Sequence, residues 1–116
     1  MLNKEFRLRK QKDFDRVFGK GGSFFSQDFL ALKVAPNDFA CSRFGFIVSN
    51  KISKSAVKRN RIKRLLRESV RLRWAQIKPG FDVALMARAD VSERSFEDVD
   101  KAVDSLLKKS GLLIRK

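Results

Sequence analysis

Between Lys51 and Arg73 the chain carries ten lysines and arginines against one acid, Glu68. Four of the cations, Arg61, Arg64, Arg67 and Arg71, recur at three- and four-residue intervals. Each guanidinium is a planar, permanently charged fork whose donors match the oxygens of a phosphate. A row of such forks binds a polyanion. It does not move protons, and the rest of the chain offers little that would: histidine is absent and the 13 acids are scattered. The commonest general base and metal ligand is therefore missing. These residues point to phosphate recognition, with no catalytic residue and no metal ligand set of the chain's own.

The row needs a rigid carrier, and the same stretch supplies one. Ile62, Leu65, Leu66, Val70, Trp74 and Ile77 fall on one face of a 3.6-residue wheel, with Arg61, Arg64, Arg67 and Arg71 turned away from it. The spacing predicts a helix starting between Ser53 and Val57, with Ser53 or Ser55 as cap. It ends before Pro79-Gly80. Its first turns hold Lys54, Lys58, Arg59 and Arg61, which oppose the helix dipole at a cost of ~0.3–1 kcal/mol each. An anion at that end, where free backbone N–H groups already favour phosphate, removes the conflict. Asn60 sits among them, either as an amide for a phosphate or a 2′-hydroxyl or as an ordinary surface residue.

The chain of 116 residues has 43% hydrophobic content and eleven phenylalanines, enough for one folded domain spanning residues 1–116. Its net charge of +14 and pI of about 10.7 make acidic polymers its natural partners. No apolar run is long enough to span a bilayer, so no membrane partner is expected. The N-terminal residues lack the apolar core of a signal peptide. Cys41 is alone, which excludes a disulfide framework and fits a reducing, cytoplasmic location.

The remaining patterns describe a small mixed fold. Asp13–Phe18 fits a short helix with Phe14, Val17 and Phe18 at i, i+3 and i+4, closed by Gly19–Gly22. Ser23–Val34 reads as strand, in one piece or two. Arg43–Ser49 alternates, with Phe44, Phe46 and Val48 on one face and Arg43, Gly45 and Ile47 on the other. Phe81–Arg88 alternates again. Ser95–Lys109 is a closing helix whose acids lie near its start and lysines at its end, as the dipole prefers. The class is α+β, a sandwich of helices against a small sheet.

Phe14 and Phe18 form a second candidate site, with Arg7, Arg9, Lys10, Lys12 and Arg16 around them. Aromatics interleaved with cations suit single-stranded nucleic acid, where stacking contributes ~1–3 kcal/mol per base. Phenylalanines at i, i+4 on a short helix also suit a core, and both readings stand at this level. Phe24, Phe25 and Phe29 share that ambiguity. Asp13 and Asp15 diverge on a helix and read as solvated acids, not as a Mg²⁺ pair.

The stretch KISKSAVKRNRIKRLLRE, centred on Arg59-Asn60-Arg61, resembles the RNR signature of the bacterial ribonuclease P protein subunit. LRKQKDFDRVFGKG is similar to that family's first helix, RFGFIVSNKISKSAVKRNR to its strand-to-helix passage, and DVALMAR to its following strand. The resemblance implies a two-layer α/β sandwich in the order α-β-β-β-α-β-α, with a left-handed βαβ crossover through the basic helix, a rare hand. It implies a protein that joins a catalytic RNA and assists removal of the 5′ leader from precursor tRNA. The chemistry would then belong to the RNA and to Mg²⁺ held mainly by it. The implied partners are that RNA and precursor tRNA, with no obligatory protein partner.

Carried over residue by residue, the resemblance puts Lys51, Lys54, Arg59, Asn60, Arg61, Lys63, Arg64 and Arg67 toward RNA. Lys58 and Arg71 join them from the charge pattern. Phe14 and Phe18 would line a cleft for the leader, with Phe46 and Arg88 beside it. Where some relatives carry Tyr on the second cleft-facing strand region, this chain has Leu32. The rival readings are a structural RNA-binding protein of ribosomal type, a DNA-binding module, which lacks a helix-turn-helix signal, and a protein-only nuclease, which lacks clustered acids.

Overall fold

The computed structural model describes residues 6–19 and 22–114. Its elements are α1 (Gln11–Phe18), β1 (Ser23–Gln27), β2 (Leu30–Pro36), β3 (Arg43–Ile47), α2 (Ala56–Leu72), a 3₁₀ turn (Trp74–Gln76), β4 (Phe81–Ala87) and α3 (Phe96–Lys109). The order matches the sequence expectation, and the first strand region is two strands. They are separated at Asp28-Phe29, where Asp28 takes a left-handed φ of 53°. That conformation suits a tight reversal and is one Asp tolerates better than most residues.

The four strands lie in the order β1-β2-β4-β3. β1 and β4 flank β2 antiparallel, while β3 runs parallel to β4. Antiparallel neighbours need only a turn, but parallel neighbours need a crossover. α2 is that crossover, so the basic helix is tied to the sheet at both ends.

Alternation sorts the sheet's side chains. Leu30, Leu32, Val34, Phe44, Val83 and Leu85 meet Ile62, Leu66 and Val70 of α2 and Val99, Val103, Leu106 and Leu107 of α3 in the main core. This α2–α3 layer on the sheet is the expected sandwich. α1 lies on the other face, where Val17 and Phe14 pack with Leu8, Ala35, Ala84 and Ile47. Gly45 seats the Phe14 ring: a Cβ there would stand 2.4 Å from Phe14 Cζ.

Local chemistry explains the helix starts. Ser55 caps α2 by accepting from the Lys58 N–H, and Ser95 caps α3 by accepting from the Asp98 N–H. Trp74 and Ile77 fall beyond α2, which ends at Leu72. Trp74 nevertheless stays apolar-side, 4.8 Å from the Phe6 ring and 5.7 Å from that of Phe44.

A buried carboxylate fastens α1 to the sheet. Asp82 is fully buried and accepts from Arg43 Nε at 2.9 Å, Arg43 Nη2 at 2.7 Å, Asn37 Nδ2 at 2.8 Å and Arg16 Nη2. Burial pushes its pKa up, but the hydrogen bonds and the charges of Arg43 and Arg16 outweigh that and hold it below the usual carboxylate value. Asp13 pairs with Arg43 at 3.4 Å, so it is not the solvated acid its spacing suggests. Asp15 takes a hydrogen bond from Gln11 at 2.8 Å and is exposed.

Candidate nucleic-acid interface

α2 divides by charge along its length. Toward its C-terminus the cations are answered by acids. Arg71 pairs with Glu68 at 2.6 Å. Arg73 just past the helix pairs with Asp100 at 2.7 Å, lies 3.5 Å from Asp104, and donates to the Ser69 carbonyl and hydroxyl at 2.8 Å. Arg73 thus holds α2 to α3. Of the expected RNA-facing residues, Arg71 is the one engaged by a carboxylate among the described residues.

The N-terminal half has no such partners among the described residues. No acid lies in its first turn. Lys51, Lys54, Lys58, Asn60, Arg61 and Arg64 are exposed, and none is in a salt bridge among the described residues. Arg59 is half-buried and donates to the Ser53 carbonyl at 2.9 Å, which braces the loop leading into the helix. This half is a rigid cationic ridge aimed at solvent.

Lys63 and Arg67 turn toward a neighbouring groove. Leu8 N–H donates to the Phe44 carbonyl at 2.8 Å, and Arg7 bridges Phe44, so the N-terminal segment runs along the outer edge of β3. Arg7, Arg9, Phe14, Phe46, Lys63 and Arg67 line a groove of about 170 Å³ around that edge. Arg67 is half-buried, not solvent-facing as the wheel suggests, and its guanidinium stands 5.8 Å from the Phe46 ring centre. Burial and the positive charges of Arg7 and Arg64 lower its pKa. The buried Nε atoms of Arg7 and Arg67 have no hydrogen-bond partner among the described residues. Unanswered donors and four cations, with no acid among the described lining residues, make a groove that an anion stabilises.

The expected cleft residues separate. Phe14 and Phe46 share this groove from opposite faces of β3, because Phe46 lies on the α2 side and stacks 6.2 Å from Phe44. Phe18 is 42% exposed on α1 and is not in it. Arg88 lines a different hollow with Phe29 and Arg94, whose guanidinium sits 4.5 Å over the Phe29 ring. Leu32 corrects the sequence expectation. It is fully buried in the main core, and the β2 residue facing the α1 side beside it is Lys33. Gly19 closes α1, while Lys20 and Gly21 lie outside the described residues.

Sequence reasoning gathered Arg7, Arg9 and Arg16 around α1, and the structure separates them. Arg16 is spent on Asp82, while Arg7 and Arg9 join Lys63 and Arg67. The alternation in Phe6-Arg7-Leu8-Arg9 was the available signal for that edge pairing. Asp82 itself went unnoticed. Among the described residues no three potential metal ligands of His, Cys, Asp or Glu lie together, and no helix is long and apolar enough to cross a membrane.

With this geometry in view, comparison with known proteins gives one answer. The family model for ribonuclease P matches residues 2–111. The ribonuclease P protein component of Syntrophomonas wolfei is 42% identical over 115 residues, covering 99% of this chain and 95% of that protein. That of Caldanaerobacter subterraneus is 38% identical over 112 residues, covering 97% and 95%. Among solved structures, the Staphylococcus aureus RNase P protein superposes with a TM-score of 0.84 at 26% identity, covering 93% of this chain and 97% of that one. The Thermotoga maritima RNase P protein gives 0.79 at 31% identity, covering 89% and 96%.

Proposed function

The chain belongs to the ribonuclease P protein family, and we propose that it acts within a ribonucleoprotein that matures the 5′ end of tRNA, binding both the catalytic RNA and the leader of precursor tRNA. The N-terminal half of α2 docks on RNA, through Lys51, Lys54, Lys58, Arg59, Asn60, Arg61 and Arg64. Phe14, Phe46, Lys63 and Arg67 hold a short single-stranded segment at the β3 edge, with Phe18 beside the open sheet face. Arg71 and Arg88 contribute at the margins. The catalytic step belongs to the RNA, with Mg²⁺ held mainly there, in the cytoplasm.

One observation carries this reading. The unpaired cations of α2 run into a groove that also holds aromatic rings, so one surface offers charge for a folded RNA and stacking for an unpaired strand. A ribosomal-type structural protein would use the ridge alone. The test is cleavage of precursor tRNA by a bacterial ribonuclease P RNA at low Mg²⁺, with and without the protein. Strong stimulation is expected, and none from the protein alone. Salt-dependent RNA binding without stimulation would favour the structural protein.

A further inference from the structure

At the end of the sheet where β2 begins and β4 stops, the hollow that Arg88 lines lies apart from the β3-edge groove, and no residue of α1 lines it. It holds about 730 Å³, a volume in the range of small-ligand sites. Its walls are the Asp28-Phe29 reversal, the loop after β4 and one stripe of α3, Asp98, Lys101 and Ser105. Backbone bonds fix those walls. Arg88 N–H donates to the Phe29 carbonyl at 2.8 Å, and Arg94 N–H to the Val91 carbonyl at 3.0 Å. Farther along the same stripe Lys109 Nζ donates to the Ser26 carbonyl at 2.9 Å, which holds α3 against β1. The Arg94 guanidinium sits over the Phe29 ring, and Arg94 is exposed, so the guanidinium face turned from the ring meets solvent. A guanidinium plane is a surface on which a base stacks.

The charges narrow the occupant. Arg88, Arg94 and Lys101 stand around the hollow, and none is in a salt bridge among the described residues. Asp28 and Asp98 share the rim and are likewise outside those salt bridges. Two acids repel a continuous run of phosphates, but they accept from the donors of a base edge or a 2′-hydroxyl. Cations for a phosphate, an open stacking face and acceptors for polar hydrogens fit a single unpaired nucleotide. The loop from Arg88 to Arg94 connects the hollow to the cationic ridge, because the Lys58 charge of α2 acts on Asp90 within it. Resting on the docking of α2 on RNA above, we propose that this hollow receives one unpaired nucleotide of the catalytic RNA, with its base on Arg94 and its phosphate on Lys101. The start of α3 and the β1–β2 reversal then belong to the RNA interface, beside the ridge of α2.

The experiment is a salt titration of the protein's affinity for a bacterial ribonuclease P RNA, with Arg61→Ala on the α2 ridge as the reference. Arg94→Ala should lose at least about 5-fold, which corresponds to ~1 kcal/mol for one stacked base. Arg94→Lys should not recover that loss, because an ammonium keeps the charge without the plane. Full recovery by Arg94→Lys would overturn the stacked base. Lys101→Ala should reduce the slope of log K against log salt by ~0.7–0.9. Lys101 is exposed, so its variant tests the hollow even where Arg94→Ala lowers stability. Wild-type affinity in both hollow variants, with Arg61→Ala weakened, would overturn this site alone. Wild-type affinity in all three would overturn the docking of α2 with it. A loss confined to precursor tRNA in the reconstituted complex, with affinity for the catalytic RNA intact, would give the hollow to the substrate and overturn the proposal.

Discussion

The two ends of α2 are built on opposite principles. At the C-terminal end each arginine has its acid: Arg71 has Glu68, and Arg73 has Asp100 and Asp104. At the N-terminal end Lys58 and Arg59 stand in a first turn with no acid in it, with Lys54 just before the cap and Arg61 in the next turn, against the dipole. Both ends share one helix and one apolar stripe, so the contrast is not a matter of fold. α3, packed against α2, shows the stable arrangement, with Glu97 and Asp98 in its first turn and Lys108 and Lys109 in its last. A charge left unanswered beside a neighbour where charges are matched marks the part of the surface reserved for a ligand.

The largest effect expected from breaking this contrast is at the paired end. Arg73→Ala leaves the part-buried Asp100 with the Ser69 hydroxyl and Asp104 with Lys108, and removes the ionic tie between α2 and α3, so stability should fall by ~1–3 kcal/mol, read by denaturant unfolding. Its RNA affinity, measured where the variant is folded, should keep the wild-type salt dependence.

Acid attacks such paired carboxylates without mutation, at this end of α2 and where α1 meets the sheet. The hydrogen bonds from Arg73 hold Asp100 below its ordinary pKa against the effect of burial, and those from Arg43 and Asn37 do the same for Asp82 once burial is overcome. A carboxylate with a lowered folded-state pKa contributes stability above its unfolded pKa and loses it as pH falls through the folded one. Melting temperature should therefore hold near neutrality and drop below about pH 4. Asp100→Asn should flatten part of that fall.

A smaller effect sharpens the unpaired end. Lys58→Glu places an acid three residues after the Ser55 cap, a capping box that also suits the dipole. The free protein should gain ~0.5–1 kcal/mol, tempered by nearby Asp90, whose pKa the Lys58 charge helps to lower after the Ser92 hydrogen bonds. RNA affinity should fall in the same variant. Stability and binding moving in opposite directions is the signature of a site; both falling would make Lys58 structural.

Much of this contrast was legible in the sequence, because it is local. The apolar stripe of α2, its serine cap, the dipole-matched charges of α3 and the alternation of β3 and β4 are all short-range patterns. What was hidden depends on distant partners. Arg73 counts as one more cation in the basic run until Asp100, 27 residues away, is brought beside it. Asp82 gives no sign inside an apolar strand that Arg16 and Arg43 converge on it. Leu32 was placed on the cleft side by the resemblance alone, whereas the alternation of β2 turns it into the main core and sets Lys33 on the α1 side. Phe46 was read correctly as alternating with Arg43 and Gly45, yet its share in the groove depends on β3 lying at the sheet edge, where both faces are reached.

The most direct test is the salt dependence of RNA binding for Arg61→Ala and Arg73→Ala, side by side. Arg61 is exposed and unpaired among the described residues, while Arg73 is held by α3. Losing one phosphate contact should reduce the slope of log K against log salt by ~0.7–0.9 for Arg61→Ala and leave it unchanged for Arg73→Ala. Equal slopes in the two variants, or a change in Arg73→Ala alone, would contradict the assignment of the N-terminal half of α2 to RNA.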